Sequence, residues 1–430
     1  MKKVNIGLLG FGNVGRGVWK IVEENSTELK KRSGYEVSIS KILVKDIDKQ
    51  REVNVSKDIL TTDFNEILED DSIDIVVEVI GGIEPAVDYM IRSMKKKKHV
   101  VTANKMAVAT KGSTLLRTSR EEGVMLFYEG SVGGGIPIIN GLNENLVANK
   151  IEEIIGIING TTNYILSKMA REKVSFEEAL KEAQEKGYAE ADPTSDVEAF
   201  DAMYKLGILS SLAFDNIVNV NYIHREGITS IKPIDIEYAK ELGYVVKLLG
   251  IAKNVDGELE LRVHPTMVSA NHPLANVNDS FNAVLIKGNA VGELMLYGRG
   301  AGELPTGSAV VGDIVSILKN RDNPLYYSKF KEATIPKIRD INEVECEYYI
   351  RMTVKDKPGV LGEICSIFGK NNVSMLSVIQ KGKREECVSL VFITHNTKEG
   401  NIKKSMDKVS SSQDIIKVEN VIRIENLGLQ

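Results

Sequence analysis

The sequence is poor in cysteine and histidine, and both shortages argue against classes of catalytic chemistry. Only three cysteines occur in 430 residues, and the first of them is Cys346. An enzyme that works through a cysteine thioester needs a reactive thiolate near its substrate, and the long cysteine-free part of the chain lacks one. The five histidines show no ligand spacing, which argues against a catalytic zinc site. The odd number of widely spaced cysteines favours free thiols and a cytoplasmic location.

Long apolar runs and an excess of positive charge are also missing. No apolar stretch approaches the length of a membrane span. The formal net charge is -5 with both signs interspersed, so we expect neither a nucleic-acid partner nor a membrane partner. A hydrophobic fraction of 43% is typical of a globular protein, and 430 residues predict two or three domains.

The amino-terminal segment has the pattern of a dinucleotide-binding domain. Residues 4–9 form an apolar run too short for a helix, and apolar residues recur at helical spacing after residue 15. Between the two lies a glycine-rich turn, which consists of Gly10, Phe11, Gly12, Asn13, Val14 and Gly15. Gly10 permits a tight turn, Gly12 lets backbone N–H groups approach a pyrophosphate, and Gly15 allows the helix to pack closely. This order predicts an α/β fold with a Rossmann-type domain.

The next predicted strands end at candidate cofactor contacts. The strand at residues 37–44 is followed by Lys45 and then by Asp46. A cation there would accept a 2′-phosphate and a carboxylate would bind the ribose 2′-hydroxyl, so the pattern favours NADP and leaves NAD open. The strands at residues 73–80 and 99–102 lead to further expected cofactor contacts, which are Gly81, Thr102, Ala103 and Lys105. We expect the Lys105 side chain to face the nicotinamide end of the cleft.

Residues 187–205 concentrate carboxylates just ahead of one lysine and read GYAEADPTSDVEAFDAMYK. If the chain is helical from Asp196 onward, Asp201 and Lys205 share a face that continues with apolar residues. A charged pair on an apolar stripe is costly to desolvate unless it is paired or functional. The segment therefore predicts a site that binds an ammonium group with carboxylates and delivers a proton from a lysine. An ordinary surface ion pair is the alternative.

Four separated segments resemble the homoserine dehydrogenase family. Residues 187–205 match its substrate-binding segment at nearly every position and depart at Ala199 and Phe200, where the family commonly has glycine. The other segments are HVVTANKMAVA at 99–109, GIINGTTNYIL at 156–166 and GAGELPT at 300–306. The resemblance implies a monofunctional enzyme that reversibly reduces L-aspartate 4-semialdehyde to L-homoserine with reduced NADP or NAD.

The resemblance also implies roles for individual residues. Lys205 is the expected proton donor and Lys105 a second cation beside the cofactor, with the exchanged assignment left open. The expected substrate-binding residues are Glu190, Asp196, Asp201, Gly160 and Thr161. Gly187, Gly302 and Glu303 complete the expected cofactor contacts. The polar turn at residues 159–163 leads into a helix, and we expect Thr161 or Thr162 to cap it.

A glycine-dense loop at residues 127–138 follows an apolar strand and exposes many carbonyl groups. The pattern by itself favours a tight structural turn, although Glu129 could supply charge to a hard cation. In the homoserine dehydrogenase family the matching loop binds a monovalent cation, usually sodium, through its backbone. The resemblance therefore implies a sodium site at Glu129, Val132, Gly134 and Ile136.

The carboxyl-terminal segment predicts a separate small module. From about Tyr348 the pattern indicates βαββαβ, and the stretches DKPGVLGEI at 356–364 and NNVSMLS at 371–377 resemble ACT domains. Such domains commonly bind amino acids at subunit interfaces, so the resemblance implies a homodimer or homotetramer with L-threonine as the effector. A dimerisation module without a ligand is the alternative.

The expected organisation is a Rossmann-type domain at residues 1–140 with a return segment at about 300–335, a substrate and dimerisation domain at 141–300, a linker at 336–347 and an ACT domain at 348–426. A non-catalytic sensor of dinucleotides and amino acids is the alternative from another class. Such a regulator would not need Lys105, Lys205 and the carboxylates, and it would typically carry a basic nucleic-acid-binding helix, which the sequence lacks.

Overall fold

The computed structural model describes residues 2–321, 323, 334–381 and 386–427. The chain divides into two compact units, each assembled from separate segments. The first comprises Met1–Ile154, Tyr204–Tyr222 and Asn282–Pro336, and the second comprises Ile155–Met203, Ile223–Phe281 and Lys337–Gln430. The predicted return segment at 300–335 lies partly outside the described residues, because positions 322 and 324–333 do not belong to them.

Helices and strands follow one another along the whole described chain. Up to residue 157 they are β1 (Lys3–Leu9), α1 (Asn13–Glu24), α2 (Ser26–Ser33), β2 (Glu36–Leu43), β3 (Leu60–Thr61), α3 (Asn65–Leu68), β4 (Ile73–Glu78), α4 (Ala86–Lys95), β5 (His99–Thr102), α5 (Lys105–Glu122), β6 (Leu126–Phe127), α6 (Ile138–Asn140) and β7 (Ile151–Ile157). They continue with α7 (Gly160–Glu172), α8 (Phe176–Glu185), α9 (Thr194–Val197), α10 (Phe200–Ala213), β8 (His224–Arg225), α11 (Pro233–Glu241), β9 (Tyr244–Val255), β10 (Glu258–Ser269), β11 (Phe281–Gly288), β12 (Gly292–Arg299), α12 (Glu303–Asn320), β13 (Glu345–Lys355), α13 (Val360–Lys370), β14 (Met375–Lys381), β15 (Cys387–Thr394), β16 (Thr397–Lys398), α14 (Glu399–Ser410) and β17 (Ile415–Glu425).

The first unit is built on a parallel sheet in the order β3-β2-β1-β4-β5-β6. Both faces of this sheet are apolar, as expected for parallel strands covered on each side. Ile6 and Leu8 belong to the core that includes residues of α1 and α12, whereas Leu9 and Val76 pack in a second core with Phe64. The strand order is that of a Rossmann-type domain, which confirms the predicted fold class.

Helices α1 and α12 approach each other closely because glycines stand where their backbones meet. A Cβ atom on Gly17 would lie 2.0 Å from the carbonyl oxygen of Glu303, and one on Gly307 would lie 2.7 Å from the carbonyl carbon of Gly17. The Glu303 carboxylate lies 2.5 Å from Lys20 Nζ and 3.3 Å from Arg16 Nη2, both on α1. The segment that starts α12 is therefore fixed against the helix that follows the glycine turn.

The second unit contains a mixed sheet in the order β7-β9-β10-β17-β13-β15-β14. Strand β17 is parallel to β10, with Thr266 opposite Arg423, and antiparallel to β13, with Ile350 opposite Val421. The carboxyl-terminal βαββαβ module, with the short extra strand β16, thus continues the sheet of its unit. The predicted ACT fold is confirmed.

Part of the predicted linker at 336–347 is structured. Strand β13 begins at Glu345, because the alternation of buried side chains begins at Cys346 and continues through Tyr348 and Ile350 into the core of the module. Before it, Ile338 forms an isolated bridge with Leu259.

Two local predictions were wrong. The chain is not continuously helical from Asp196, because α9 ends at Val197 and Ala199 adopts a left-handed backbone with φ 62° before α10 begins. The cap of α7 is Asn159 and not Thr161 or Thr162, since the Asn159 side chain accepts a hydrogen bond from the Thr162 N–H.

Candidate active site

The glycine turn between β1 and α1 has the geometry of an anion cradle. Gly10 has φ 103°, and a Cβ atom on Gly15 would lie 2.3 Å from the Gly10 carbonyl oxygen. A Cβ atom on Gly12 would meet no described atom within 4 Å. Helix α1 starts after Gly12 with no side-chain cap, and its first turn, which is fully described, contains no acidic residue. Its N–H groups and the positive end of its dipole are therefore suited to a phosphate group.

The loop after β2 folds onto itself. Lys45 is exposed, and the Asp46 carboxylate accepts a hydrogen bond from the Asp48 N–H at 2.9 Å. Arg51 Nη1 donates to the carbonyl oxygens of Ile47 and Lys49 at 3.0 and 2.8 Å. The Arg51 guanidinium thus holds the loop in shape, and the exposed cation of Lys45 stands at the strand end, where the sequence predicted it.

Glu78, at the end of β4, organises the strand ends of the first unit. Its buried carboxylate accepts hydrogen bonds from Thr102 Oγ1 at 2.6 Å, from the Ile80 N–H at 2.8 Å and from the Gly81 N–H at 3.2 Å. The Ala103 N–H donates to the Glu78 carbonyl oxygen at 3.3 Å. Burial raises the pKa of Glu78, and the hydrogen bonds oppose that rise. Gly81, Thr102 and Ala103, three predicted cofactor contacts, are thereby joined through one residue, Glu78, by its carboxyl group and its main-chain carbonyl oxygen.

Lys105 is positioned by the cap of α5. Asn104 donates its N–H to Thr102 Oγ1 at 3.0 Å, and its side chain accepts from the Ala107 N–H at 3.1 Å. Lys105 is the first residue of α5 and is half-buried. The main chain from which the Lys105 side chain projects is therefore fixed by two hydrogen bonds, one on each side of the residue.

In the second unit, Asn159 brings two predicted carboxylates together. Its amide nitrogen donates to Asp196 Oδ1 at 2.7 Å and to Asp201 Oδ2 at 2.9 Å. Its amide oxygen accepts from the Thr162 N–H at 2.8 Å, which caps α7 directly ahead of Gly160. Asp196 and Asp201 are thus a pair joined by one side chain that the sequence analysis did not name.

The loop at residues 187–192 is held by its neighbours through main-chain oxygens. Thr161 Oγ1 donates to the Tyr188 carbonyl oxygen at 2.7 Å, and Gln184 Nε2 donates to that of Glu190 at 3.0 Å. Gly187 has φ 73°, a left-handed conformation that favours glycine. The predicted substrate residue Thr161 therefore supports this loop, and Glu190 itself is exposed and not part of the Asn159 pair.

Helix α10 carries the predicted acid–lysine pair. Asp201 is 3% exposed and Lys205, one turn later, is 7% exposed. Leu206 and Leu209, which follow on the same helix, are fully buried. The alternative of an ordinary solvated pair does not agree with this burial.

The loop predicted to hold a cation contains one buried carboxyl group, that of Glu129, and Asp313 of α12 lies beside it. Glu129 accepts hydrogen bonds from the Ile139 and Asn140 N–H groups at 2.9 and 2.6 Å, and its own N–H donates to Asp313 Oδ2 at 2.8 Å. Burial raises the pKa of Glu129, and the pKa of Asp313 is raised well above its usual range by burial and by the Glu129 charge. Burying two carboxyl groups side by side disfavours their ionised forms, and the N–H groups that face them offset part of that cost.

The backbone of the same loop is tightly wound. Val132 is fully buried, and Gly134 has φ 54°, with a hypothetical Cβ atom 2.6 Å from the carbonyl carbon of Gly300. The Ile136 carbonyl oxygen accepts from the Ile138 N–H at 2.8 Å. Gly302 precedes α12 with φ 128°. The positions of Gly134 and Gly302 are suited to glycine by their positive φ, independent of any ligand.

The described part of the chain shows no disulfide, no side-chain metal site and no membrane-spanning helix. All three cysteines are free thiols, as predicted. The described residues contain no group of three or more His, Cys, Asp or Glu side chains placed to hold a metal ion, which leaves a main-chain site untested. Within those same residues, no helix has both the length and the apolar character needed to cross a membrane.

Three functional candidates were missed because their partners are distant in sequence. Asn159 has a local signal, since an asparagine directly before a helical pattern is a strong cap candidate. Its bonds to Asp196 and Asp201 span 37 and 42 positions and have no such signal. Glu78 and Asp313 each stand alone as an acidic residue within an apolar stretch of sequence. That isolated carboxylate is the only sequence signal for a buried hydrogen-bond network.

The comparisons with known proteins agree with this geometry. Residues 10–129 match the family described as Homoserine dehydrogenase, NAD binding domain, residues 137–315 match Homoserine dehydrogenase, and residues 348–411 match ACT domain. A homoserine dehydrogenase of Bacillus subtilis is 41% identical, with 100% of both chains covered. The solved homoserine dehydrogenase of Thiobacillus denitrificans is 40% identical with a TM-score of 0.94, covering 100% of this chain and 99% of its own. A Staphylococcus aureus structure is 37% identical with a TM-score of 0.77, covering 99% and 100%.

The Rossmann-type unit with its glycine turn defines an NAD(P)-dependent oxidoreductase that acts on a CH–OH group and carries a carboxyl-terminal ACT domain. The chain belongs to the homoserine dehydrogenase family. The alternative of a non-catalytic sensor is not favoured.

Proposed function

We propose that this chain interconverts L-aspartate 4-semialdehyde and L-homoserine with Lys205 as the proton donor. The observation that carries the assignment is the burial of Asp201 and Lys205 one turn apart on α10, at 3% and 7% exposure. Charged side chains are rarely desolvated unless they are paired or used. When bound, the nicotinamide cofactor supplies or accepts the hydride.

The proposed step in the reducing direction places negative charge on the aldehyde oxygen. The Lys205 ammonium stabilises that charge and transfers a proton to the oxygen, which completes the alcohol. Lys105, at the start of α5, contributes a second positive charge on the cofactor side. Both lysines lie on helices whose positions are set by buried contacts, which limits their reorganisation during the reaction.

The carboxylates of the second unit are proposed to bind the ammonium group of the substrate. Ionised carboxylates only accept hydrogen bonds, so Asp196, Asp201 and Glu190 suit an N–H₃⁺ donor. Gly160 and Thr161 complete the proposed substrate contacts, with Thr161 acting through the loop that it supports.

We propose NADP as the preferred cofactor, with NAD also accepted. The uncapped start of α1 suits the pyrophosphate, and exposed Lys45 suits a 2′-phosphate. A 28% identical relative from a hyperthermophilic archaeon was solved in complex with NADPH, with a TM-score of 0.61 and 73% of this chain covered. Replacing Lys45 with serine is expected to lower kcat/KM for NADP about tenfold and to leave that for NAD unchanged.

A monovalent cation is proposed at the backbone of Glu129, Val132, Gly134 and Ile136. The support is the resemblance of this loop to the cation-binding loop of the family, together with the buried carboxyl groups of Glu129 within it and Asp313 beside it. Comparison of activity in sodium and choline chloride at equal ionic strength tests this. Equal rates in both salts would count against the site.

The remaining proposals concern regulation and assembly. We propose that L-threonine is an effector of the ACT domain and that the protein forms a homodimer or homotetramer. We also propose a cytoplasmic location. The proposed domain boundaries remain at residues 140, 300 and 348, and they subdivide the two observed units. Titration of the homoserine-oxidising activity with threonine is the direct test of the effector, and an unchanged rate would contradict it.

The catalytic assignment is tested by Lys205→Ala, Lys105→Ala and the control Lys111→Ala, which lies on α5 and is exposed. Lys205→Ala is expected to lower kcat by about 10²- to 10⁴-fold, the usual scale for a general acid, with the cofactor Kd unchanged. Lys105→Ala is expected to lower kcat less and to weaken cofactor binding, and Lys111→Ala to match the parent enzyme. If the two site variants show the opposite pattern, the roles of the lysines are exchanged. Near-normal kcat in both contradicts the proposal.

A further inference from the structure

Asn159 occupies the junction between β7 and α7 and is 4% exposed. Its side chain uses both ends of the amide. The oxygen accepts from the N–H and the hydroxyl of Thr162, each at 2.8 Å, and the nitrogen donates to Asp196 Oδ1 at 2.7 Å and Asp201 Oδ2 at 2.9 Å. One buried residue therefore connects the start of a helix to two acidic side chains from α9 and α10.

The orientation of the amide follows from the chemistry of its neighbours. A main-chain N–H can only donate, so the Asn159 oxygen must face Thr162. The two hydrogens of the amide nitrogen are then directed to the carboxylates, which only accept while they are ionised. A flipped amide would place its oxygen against two carboxylates and its nitrogen against an N–H donor, and it would lose the hydrogen bonds with both aspartates and with the Thr162 N–H.

Two carboxylates that share a site repel each other, and one of them tends to take up a proton. An N–H₂ group between them offsets that repulsion without adding a charge. A hydrogen bond donated to a carboxylate also favours its ionised form. An arginine or lysine in the same place would neutralise the pair and compete with an ammonium ligand.

We propose that Asn159 is a positioning residue that holds Asp196 and Asp201 as a charged pair for the α-ammonium group of the substrate. The inference rests on the proposed function, in which these carboxylates bind that group. Asn159 does not need to touch the reacting atoms. Its effect is transmitted through the two aspartates, so it belongs to recognition of the amino-acid part of the substrate.

The capping and bridging roles can be separated by substitution. Asn159→Ser keeps an oxygen that caps α7 and removes the bridging N–H₂ group, because serine is an equally good cap but too short to span both aspartates. Asn159→Asp also keeps the cap and replaces the N–H₂ group with a third carboxylate oxygen. Ser175→Ala is the matched control, since it removes the capping box of α8 without touching Asp196 or Asp201.

The measurements are KM and kcat for L-homoserine, the Kd for NADP and the thermal unfolding midpoint. Asn159→Ser is expected to unfold near the parent midpoint and to bind NADP normally, with a KM for homoserine raised about 10- to 100-fold, the scale of hydrogen bonds to charged groups. Asn159→Asp is expected to raise KM further. Ser175→Ala is expected to lower the midpoint and leave KM unchanged.

Asp201→Asn distinguishes failure of this inference from failure of the proposed function. If Asp201→Asn loses activity and both Asn159 variants keep the parent KM, the positioning role is wrong and the carboxylate site stands. If Asp201→Asn also keeps the parent KM and kcat, the carboxylate site of the proposed function is wrong. Equal loss of stability, NADP binding and homoserine binding in both Asn159 variants would identify a purely structural residue and overturn the inference.

Discussion

Ala199 has a left-handed backbone conformation, with φ 62°, in the break between α9 and α10. For a residue with a Cβ atom this conformation costs roughly 1–2 kcal/mol, and glycine adopts it freely. Ala199 is one of the two positions at which this segment departs from the homoserine dehydrogenase pattern that it resembles, so the departure coincides with a strained residue. The Ala199 methyl group is fully buried, which offsets part of the cost.

We expect Ala199→Gly to have almost no effect on the free energy of unfolding. Relief of about 1–2 kcal/mol of strain is offset by about 0.8 kcal/mol of lost methyl burial and about 0.4–1 kcal/mol of added freedom in the unfolded chain. Ala202→Gly is the control, because Ala202 is equally buried but lies inside α10. It should lose about 2 kcal/mol. Urea denaturation of both variants is the measurement, and an equal loss in both would contradict the strain.

His99 is buried at the start of β5, and its Nδ1 accepts a hydrogen bond from the Met125 N–H at 3.0 Å. Desolvation, together with the Arg321 charge, lowers the pKa of His99 to about 4. The unfolded chain therefore binds this proton more readily than the folded protein between pH 6.5 and 4. The stability that neutral His99 contributes is complete above pH 6.5 and is lost as the pH falls toward 4.

His99→Gln keeps a hydrogen-bonding side chain and removes this titration. The free energy of unfolding of the parent protein should fall more steeply between pH 6.5 and 4.5 than that of the variant, by up to about 1.4 kcal/mol per pH unit. His395→Gln, an exposed position, is the control and should keep the parent slope. Parallel curves for the parent and His99→Gln would show that His99 does not titrate in this way.

At the scale of elements, Gly17 and Gly112 show what a sequence pattern leaves undetermined. Both are glycines inside helices, α1 and α5, and the hydrophobic pattern of the sequence does not distinguish the two positions. A Cβ atom on Gly17 would lie 2.0 Å from the Glu303 carbonyl oxygen, whereas one on Gly112 would meet its nearest described atom at 3.9 Å. The difference depends on α12, which follows almost 300 residues later.

Gly17→Ala is expected to cost at least about 3 kcal/mol, because α1 and α12 would have to separate. Gly112→Ala should instead stabilise the protein by about 0.5–1 kcal/mol, the usual gain of alanine over glycine in a helix. Thermal unfolding followed by the fluorescence of Trp19, the single tryptophan and a residue of α1, measures both changes in the first unit. A midpoint for Gly17→Ala at or above that of the parent would refute the close approach.

The elements that the sequence predicted correctly are those whose signals are local. The strand before Gly10, the strand predicted from about Tyr348 and the helix of Asp201 and Lys205 each depend on neighbours within a few positions. The break at Ala199 was not predicted, because alanine has no local preference for a left-handed backbone. The Asn159 bridge was not predicted, because its partners Asp196 and Asp201 lie 37 and 42 positions away and are brought near only by the fold.

At the scale of the whole chain, the ACT module is integrated with the rest of its unit by charge as well as by strand pairing. Arg423 on β17 forms two bidentate ion pairs, one with Glu399 on α14 and one with Glu226 next to β8, all at 2.8 Å. The Arg423 side chain is 4% exposed and that of Glu399 is 6% exposed. Tyr348 also donates to Glu399 at 2.8 Å. A conformational change in the ACT strands would therefore be transmitted to β8 through the Arg423–Glu226 ion pair and to β10 through its pairing with β17.

Glu399→Gln tests whether this buried network makes the unit a single cooperative structure. Removing one charge from a buried pair leaves the Arg423 guanidinium partly uncompensated, so the free energy of unfolding should fall by about 3 kcal/mol. Glu343→Gln, which breaks the exposed pair with Lys398, should change it little. In hydrogen exchange, peptides from β10 and β13 should lose protection together in Glu399→Gln, because β17 pairs with both strands. Loss of protection confined to β13 would mean that the ACT module unfolds independently, and regulation through it would then require a different route.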